Sequence, residues 1–173
     1  MTCVLRPYDP QILAGLARGQ TVRLIAKTTG KPYRTVNSRV YSLIRRAEVP
    51  NAARLVDVAY RQGWLARLSP EPRPALSLSG RRAEVLHALA AGLTNGQIAR
   101  DLGVSERTVE FHVLGLYRTL RARNRSHAVA LGHQHGHLLP PATACPPRDR
   151  RAATSRRSTP AAQAEYPAAR LPA

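Results

Sequence analysis

Arginine dominates the chemistry open to this 173-residue chain: 25 arginines and two lysines, Lys27 and Lys31, stand against 10 acidic residues. The formal net charge of +17 points to a polyanionic partner and excludes an acidic or neutral metabolic enzyme of ordinary composition. Other reactive groups are few. His133 and His137 are four residues apart, so on a helix they could share a face and hold a metal. With only Cys145 as a further soft ligand nearby, and with Gly132 and Gly136 interrupting the run, the histidines read instead as a fraying helix end, and no metal is expected. Cys3 and Cys145 lie too far apart in sequence for a short-spaced ligand pair and read as free thiols in a reducing compartment. Ser, His and Asp occur in no nucleophile-elbow setting, and neither a Gly-rich phosphate cradle nor a cofactor fingerprint is present. No catalysis and no cofactor are expected.

The elements that carry the arginines fall into four stretches: a domain over 1–66, a Pro-rich linker over 67–78, a second domain over 79–138 and a tail over 139–173. Pro70, Pro72 and Pro74 make the linker a semi-rigid spacer. The tail holds 7 Pro, 10 Ala and 6 Arg in 35 residues, too little apolar bulk to offset the entropy of folding, so disorder is expected there. No apolar run approaches the ~20 residues a membrane span needs, and the N-terminus has no secretory core, so a cytoplasmic, nucleoid-associated location is expected.

Sliding the sequence against itself by 73 positions aligns residues 12–65 with 85–138 without a gap, and a third of the positions are identical. Leu13/Leu86, Leu16/Leu89, Ile25/Ile98, Val36/Val109, Val40/Val113 and Leu43/Leu116 are apolar pairs at helical spacing. Gly19/Gly92, Gly30/Gly103 and Gly63/Gly136 punctuate them. The fold class that follows is all-α, with two tandem four-helix domains. In the second copy Gly92 stops the first helix, Thr94 with Gln97 forms a capping box for the next, Ser105 caps a long third helix and Ser126 caps a fourth. In the first copy Asp9 and Pro10 fit a helix start, Thr21 opens helix two, Pro32 lies at the start of helix three and Asn51 caps helix four.

A short helix, a glycine-containing turn and a longer helix make a helix-turn-helix unit, whose longer helix can enter a major groove. The run over residues 78–131 resembles the LuxR-type C-terminal DNA-binding domain throughout. The matching elements are Glu84-Val85-Leu86, Gly92-Leu93-Thr94-Asn95, Ile98-Ala99, Val104-Ser105, Thr108-Val109, His112, Asn124-Arg125-Ser126 and Ala128-Val129. It departs at Gly96-Gln97, where the family usually has a basic residue then Glu, and at Thr119-Leu120-Arg121, where it usually has Lys-Leu-Gly. The first copy, over residues 9–65, resembles the same type only faintly, with Pro32-Tyr33 in place of Ser105-Glu106, and is equally similar to a sigma-factor-like helix-turn-helix.

The resemblance implies that the exposed face of each third helix reads base edges: Asn37, Ser38 and Tyr41 in the first copy, Glu110, Phe111 and Leu114 in the second. Positioning on the DNA backbone would fall to Thr21, Arg34, Thr35, Arg39, Arg45 and Arg46, and to Thr94, Arg107, Thr108, His112 and Arg118. Asn37 suits adenine, Phe111 a thymine methyl and Glu110 a cytosine amine, so the first, more basic copy is expected to bind DNA more strongly. The function implied is sequence-specific binding of double-stranded DNA by a transcriptional regulator without a sensory domain. RNA polymerase is a candidate partner, and Ala128, Val129 and Leu131 of the fourth helix are candidates for pairing, between two chains or within one. Their alternative role is to complete a small core. Two rival functions are a protein-interaction module of the transcription machinery, favoured by Glu106 and Glu110, and a nonspecific nucleoid- or RNA-binding protein, favoured by the arginines of the tail.

Overall fold

Helix starts in this protein are set by side chains that accept the first free backbone N–H groups. The structure, a computed structural model, describes residues 5–72 and 77–138, which hold eight helices and no strand. In chain order these are α1 (Asp9–Ala17), α2 (Val22–Thr29), α3 (Tyr33–Arg46), α4 (Ala52–Arg61), α5 (Gly80–Ala91), α6 (Asn95–Leu102), α7 (Glu106–Leu120) and α8 (Arg125–Gln134). α2, α3 and α4 each start 73 residues before α6, α7 and α8. No helix among the described residues is long and apolar enough to cross a membrane.

The caps follow the side-chain chemistry. Thr21 accepts from Leu24 N at 3.2 Å, Asn51 from Arg54 N at 3.1 Å and Ser105 from Thr108 N at 3.1 Å. Thr94 and Gln97 close a reciprocal capping box. Two expected caps move. The fourth helix of the second set is capped by Asn124, whose Oδ1 accepts from His127 N at 3.0 Å, and Ser126 lies inside its first turn. Asp9 is the first residue of α1 and not its N-cap; its Oδ2 turns back to accept from Arg6 N at 2.8 Å. Glu48 and Arg121 both adopt positive φ, 53° and 50°, just past the ends of α3 and α7, a conformation that costs an L side chain energy.

Within the first four helices, Ile12, Leu13 and Leu16 of α1 meet Ile25, Val36, Val40, Leu43 and Val56 in a shared core. Within the last four, Val85, Leu86 and Leu89 of α5 do the same with Ile98, Val109, Val113, Leu116, Leu120 and Val129. α8 is buried continuously from His127 to Gly132, and a helix apolar around its whole girth must be covered on every side. α5 and α7 cover it from within its own set, α1 and α4 from the other. Ala128, Val129 and Leu131 therefore serve both their core and the junction between the sets.

That junction is reciprocal. Asn51 Nδ2 donates to the Gly92 carbonyl at 2.7 Å, and Asn124 Nδ2 donates to the Gly19 carbonyl at 3.1 Å, so each fourth-helix cap also grips the end of the opposite set's first helix. Both glycines have positive φ, and a Cβ on either would collide: 2.9 Å from His127 Cβ at Gly19, 2.7 Å from Pro50 Cγ at Gly92. Inside the junction, the fully buried Asp57 of α4 receives Arg54 at 2.6 Å and Arg61 at 2.9 Å, and faces His133 Nε2 of α8 at 2.8 Å. The His133 ring stacks on Tyr60, 4.8 Å between centroids, and Gln134 donates to the Tyr60 hydroxyl at 2.8 Å.

The two sets of helices pack directly on one another, α4 and α1 against α8. Glu71 N donates to Gln134 Oε1 at 3.0 Å and Glu71 Oε1 lies 2.9 Å from His127 Nε2, which ties Glu71 to α8. The histidine run is also rearranged: α8 ends at Gln134, so His137 lies beyond the helix and shares no helical face with His133. Cys3, Pro74, Cys145 and the tail over 139–173 lie outside the described residues.

Candidate nucleic-acid interface

α3 and α7 are each seated by one apolar stripe and present their other face outward. Val36, Val40 and Leu43 bury one side of α3; Val109, Val113, Leu116 and Leu120 bury one side of α7. The turns that lead into them share a hydrogen bond: Lys31 N donates to the Ala26 carbonyl and Val104 N to the Ala99 carbonyl, both at 3.0 Å. Gly30 and Gly103, with positive φ at the ends of α2 and α6, allow the chain to reverse there. Each short helix is thereby clamped against the longer one that follows.

On α3 the exposed residues are Tyr33, Arg34, Thr35, Ser38, Tyr41 and Arg45, with Asn37 and Arg39 half-buried beside them. Two shallow depressions run along this face, one flanked by Arg6, Arg34 and Arg39, the other by Tyr41, Arg45 and Arg46, and Ser38 and Ser42 line both. Guanidinium groups along such a groove suit bidentate bonding to phosphate oxygens. Arg46 is partly committed elsewhere, its Nη1 lying 3.4 Å from Asp9 Oδ2, and that ion pair ties the end of α3 to the start of α1. Arg6 and Ser42 were not expected from sequence. Arg6 precedes the region that repeats, and Ser42 aligns with Gly115, so neither carried a signal.

On α7, Arg107, Glu110, Phe111, Leu114 and Arg118 are exposed, and Thr108 and His112 are half-buried. Phe111 is 70 % exposed and Leu114 54 %, so both lie clear of the core. Tyr41 on α3 is 62 % exposed. Three expected contact residues also have structural duties: Thr21 and Thr94 cap α2 and α6, and Thr108 Oγ1 lies 2.8 Å from Ser105 Oγ at the start of α7. Glu106 turns toward α6; a Cβ on Gly96 would sit 2.6 Å from its Oε1, so the glycine leaves the carboxylate room at that helix's positive end. Arg125 joins α8 to the helix-turn-helix, donating to the Leu93 carbonyl and to Asn95 Oδ1, both at 2.7 Å.

Among the described residues, Asp57, Tyr60 and Tyr117 are electrostatically perturbed. Burial alone would raise the Asp57 carboxyl, but hydrogen bonds from His133 and Arg61 and their charge outweigh it and hold the group below its usual 3.8. Burial raises the Tyr60 and Tyr117 hydroxyls above 10.0.

Comparison with known proteins accounts for part of the chain. Residues 76–131 match the family of bacterial regulatory proteins, luxR family, and form a helix-turn-helix domain of that type. A probable transcriptional regulatory protein, SgaR of Hyphomicrobium methylovorum, is 50% identical over 58 residues, which cover 34% of this chain and 28% of that protein. The nitrate/nitrite response regulator protein NarP of Escherichia coli is 46% identical over 61 residues, 35% of this chain and 28% of NarP. A putative helix-turn-helix transcriptional regulator of the same species, YhjB, is 42% identical over 68 residues, 39% of this chain and 34% of YhjB. The chain thus spans about a third or less of the length of these relatives. No solved structure gives a significant match.

Proposed function

We propose that this protein binds double-stranded DNA sequence-specifically and regulates transcription, with α3 and α7 each entering a major groove. The observation that carries the reading is the outward face of α3, where arginines flank a groove while the apolar stripe behind them fixes the helix. Residues 9–65 act as a divergent second copy of the luxR-type domain. Equal 73-residue offsets of three helix starts, the paired positive-φ residues Glu48 and Arg121, and the paired caps Asn51 and Asn124 support this. The reciprocal bonds of those caps relate the copies by an approximate two-fold, with the fourth helices paired inside one chain.

Nucleotides are chosen by Asn37, Ser38 and Tyr41 on α3 and by Glu110, Phe111 and Leu114 on α7. Arg34, Arg39, Arg45, Arg107 and Arg118 hold the phosphates on either side. Binding to a pool of random duplexes across several salt concentrations tests the reading. Enrichment of a sequence, with affinity falling steeply as salt rises, supports it; uniform binding of every duplex rejects specificity. The exposed Glu110, Phe111 and Leu114 favour a second reading, in which α7 docks a protein of the transcription machinery. Absence of binding to any duplex favours that one.

A further inference from the structure

Six of the outward positions of each reading helix divide into two groups; Tyr33/Glu106 and Arg39/His112, beside them, also differ. At positions 73 apart, Arg34/Arg107, Thr35/Thr108 and Arg45/Arg118 are identical, whereas Asn37/Glu110, Ser38/Phe111 and Tyr41/Leu114 all differ. The identical set has the chemistry of backbone contact, and a phosphate backbone is the same under any sequence. The differing set has the chemistry of base contact. Asn37 offers a paired donor and acceptor, which suits the adenine edge; Phe111 and Leu114 offer apolar surface, which suits a thymine methyl. Glu110 can accept from a cytosine amine and repels phosphate. Meanwhile the surfaces that two chains of this type could use to pair are filled within the chain. Leu55, Val56 and Ala128 to Leu131 are fully buried, α4 packs against α8, and both fourth-helix caps are bonded across the junction.

From this division we infer that one chain, bound alone, recognises a duplex site without dyad symmetry: the pair under Asn37 of α3 is A·T, whereas the equivalent pair under Glu110 of α7 is C·G, read through its cytosine amine. The inference rests on the DNA-binding reading above and specifies its ligand. Two identical chains that pair must read an inverted repeat, because symmetry repeats every contact. Here the two readers are covalently joined and chemically unlike, so an inverted repeat would match at most one of them.

The test is selection of bound sequences from a random duplex pool with the full chain, followed by the mass of the complex on the selected duplex. The same selection is run with Glu110→Asn, Phe111→Ser and Leu114→Tyr combined, which copies the α3 reading face onto α7. The three side chains are exposed, and a thermal melt checks that the variant folds as the parent does. The expected result is a motif lacking dyad symmetry, one chain per duplex, and a variant whose motif becomes an inverted repeat that it binds at least tenfold tighter than the parent does. A symmetric motif for the parent, two chains per duplex, or a motif confined to one half overturns the inference while DNA reading stands. No enrichment at any salt overturns both.

Discussion

Asp57 offers the sharpest test of the junction, because a single carboxylate there is asked to hold two elements of α4 and one of α8. Asp57→Asn keeps the shape and removes the charge. The wild-type group takes Arg54 at 2.6 Å, Arg61 at 2.9 Å and His133 at 2.8 Å, and is itself fully buried. A hydrogen bond to a charged group contributes about 1.5–3 kcal/mol net. The three do not add, and Arg54 and Arg61 keep 36% and 31% of their side chains in solvent and rehydrate on release. His133, only 5% exposed, cannot do so as readily. The expected destabilisation is about 2–4 kcal/mol, or roughly 10 °C in Tm for a unit of this size. Circular dichroism at 222 nm during heating measures it.

The pH profile gives an independent check. Because the folded Asp57 carboxyl lies below 3.8, its contribution is complete above that value and disappears as pH falls through the lowered one. The gap between parent and variant should therefore close under acid. A variant within about 0.5 kcal/mol of the parent refutes the account of the junction, as does a gap that persists unchanged into acid.

Three other perturbations have defined outcomes. Asn51→Ala and Asn124→Ala each remove a helix cap and a bond across the junction, so each should cost about 2 kcal/mol in denaturant unfolding, and a loss limited to about 0.5 would leave only a weak cap. Arg121→Gly relieves the left-handed backbone after α7 and should raise stability by about 1 kcal/mol; a drop would mean that contacts of the arginine outweigh the strain. On DNA, Asn37→Ala should cost about 1–3 kcal/mol and relax choice at one base pair, whereas Arg34→Ala should weaken all duplexes alike and lower the salt slope by about 1. The opposite pattern in a filter-binding series would reverse their assigned roles.

How much of this was legible in sequence depended on the range of the interaction involved. Caps and helix stops are local, so Thr21, Asn51, Thr94, Ser105, Gly30 and Gly103 could be read directly. Asn124 and Ser126 are both good capping types, and the 73-residue offset from Asn51 is the sequence signal that separates them. Long-range pairing was less visible. Three prolines suggested a spacer, but nothing in their spacing reveals that Glu71 engages Gln134 and His127, more than 50 residues away. The histidine run suggested a metal or a frayed end, while His133 instead meets a carboxylate that belongs to α4. Nor does the sequence reveal that Arg46, expected on phosphate, also lies beside Asp9.

The account stands on two reading helices, linked in one chain, engaging one duplex together. Hydroxyl-radical footprinting of the full chain on its selected site measures this most directly. Two protected patches on one face of the duplex, separated by about one helical turn of 10 base pairs, are predicted. A single patch, or protection without phase along the DNA, would contradict it.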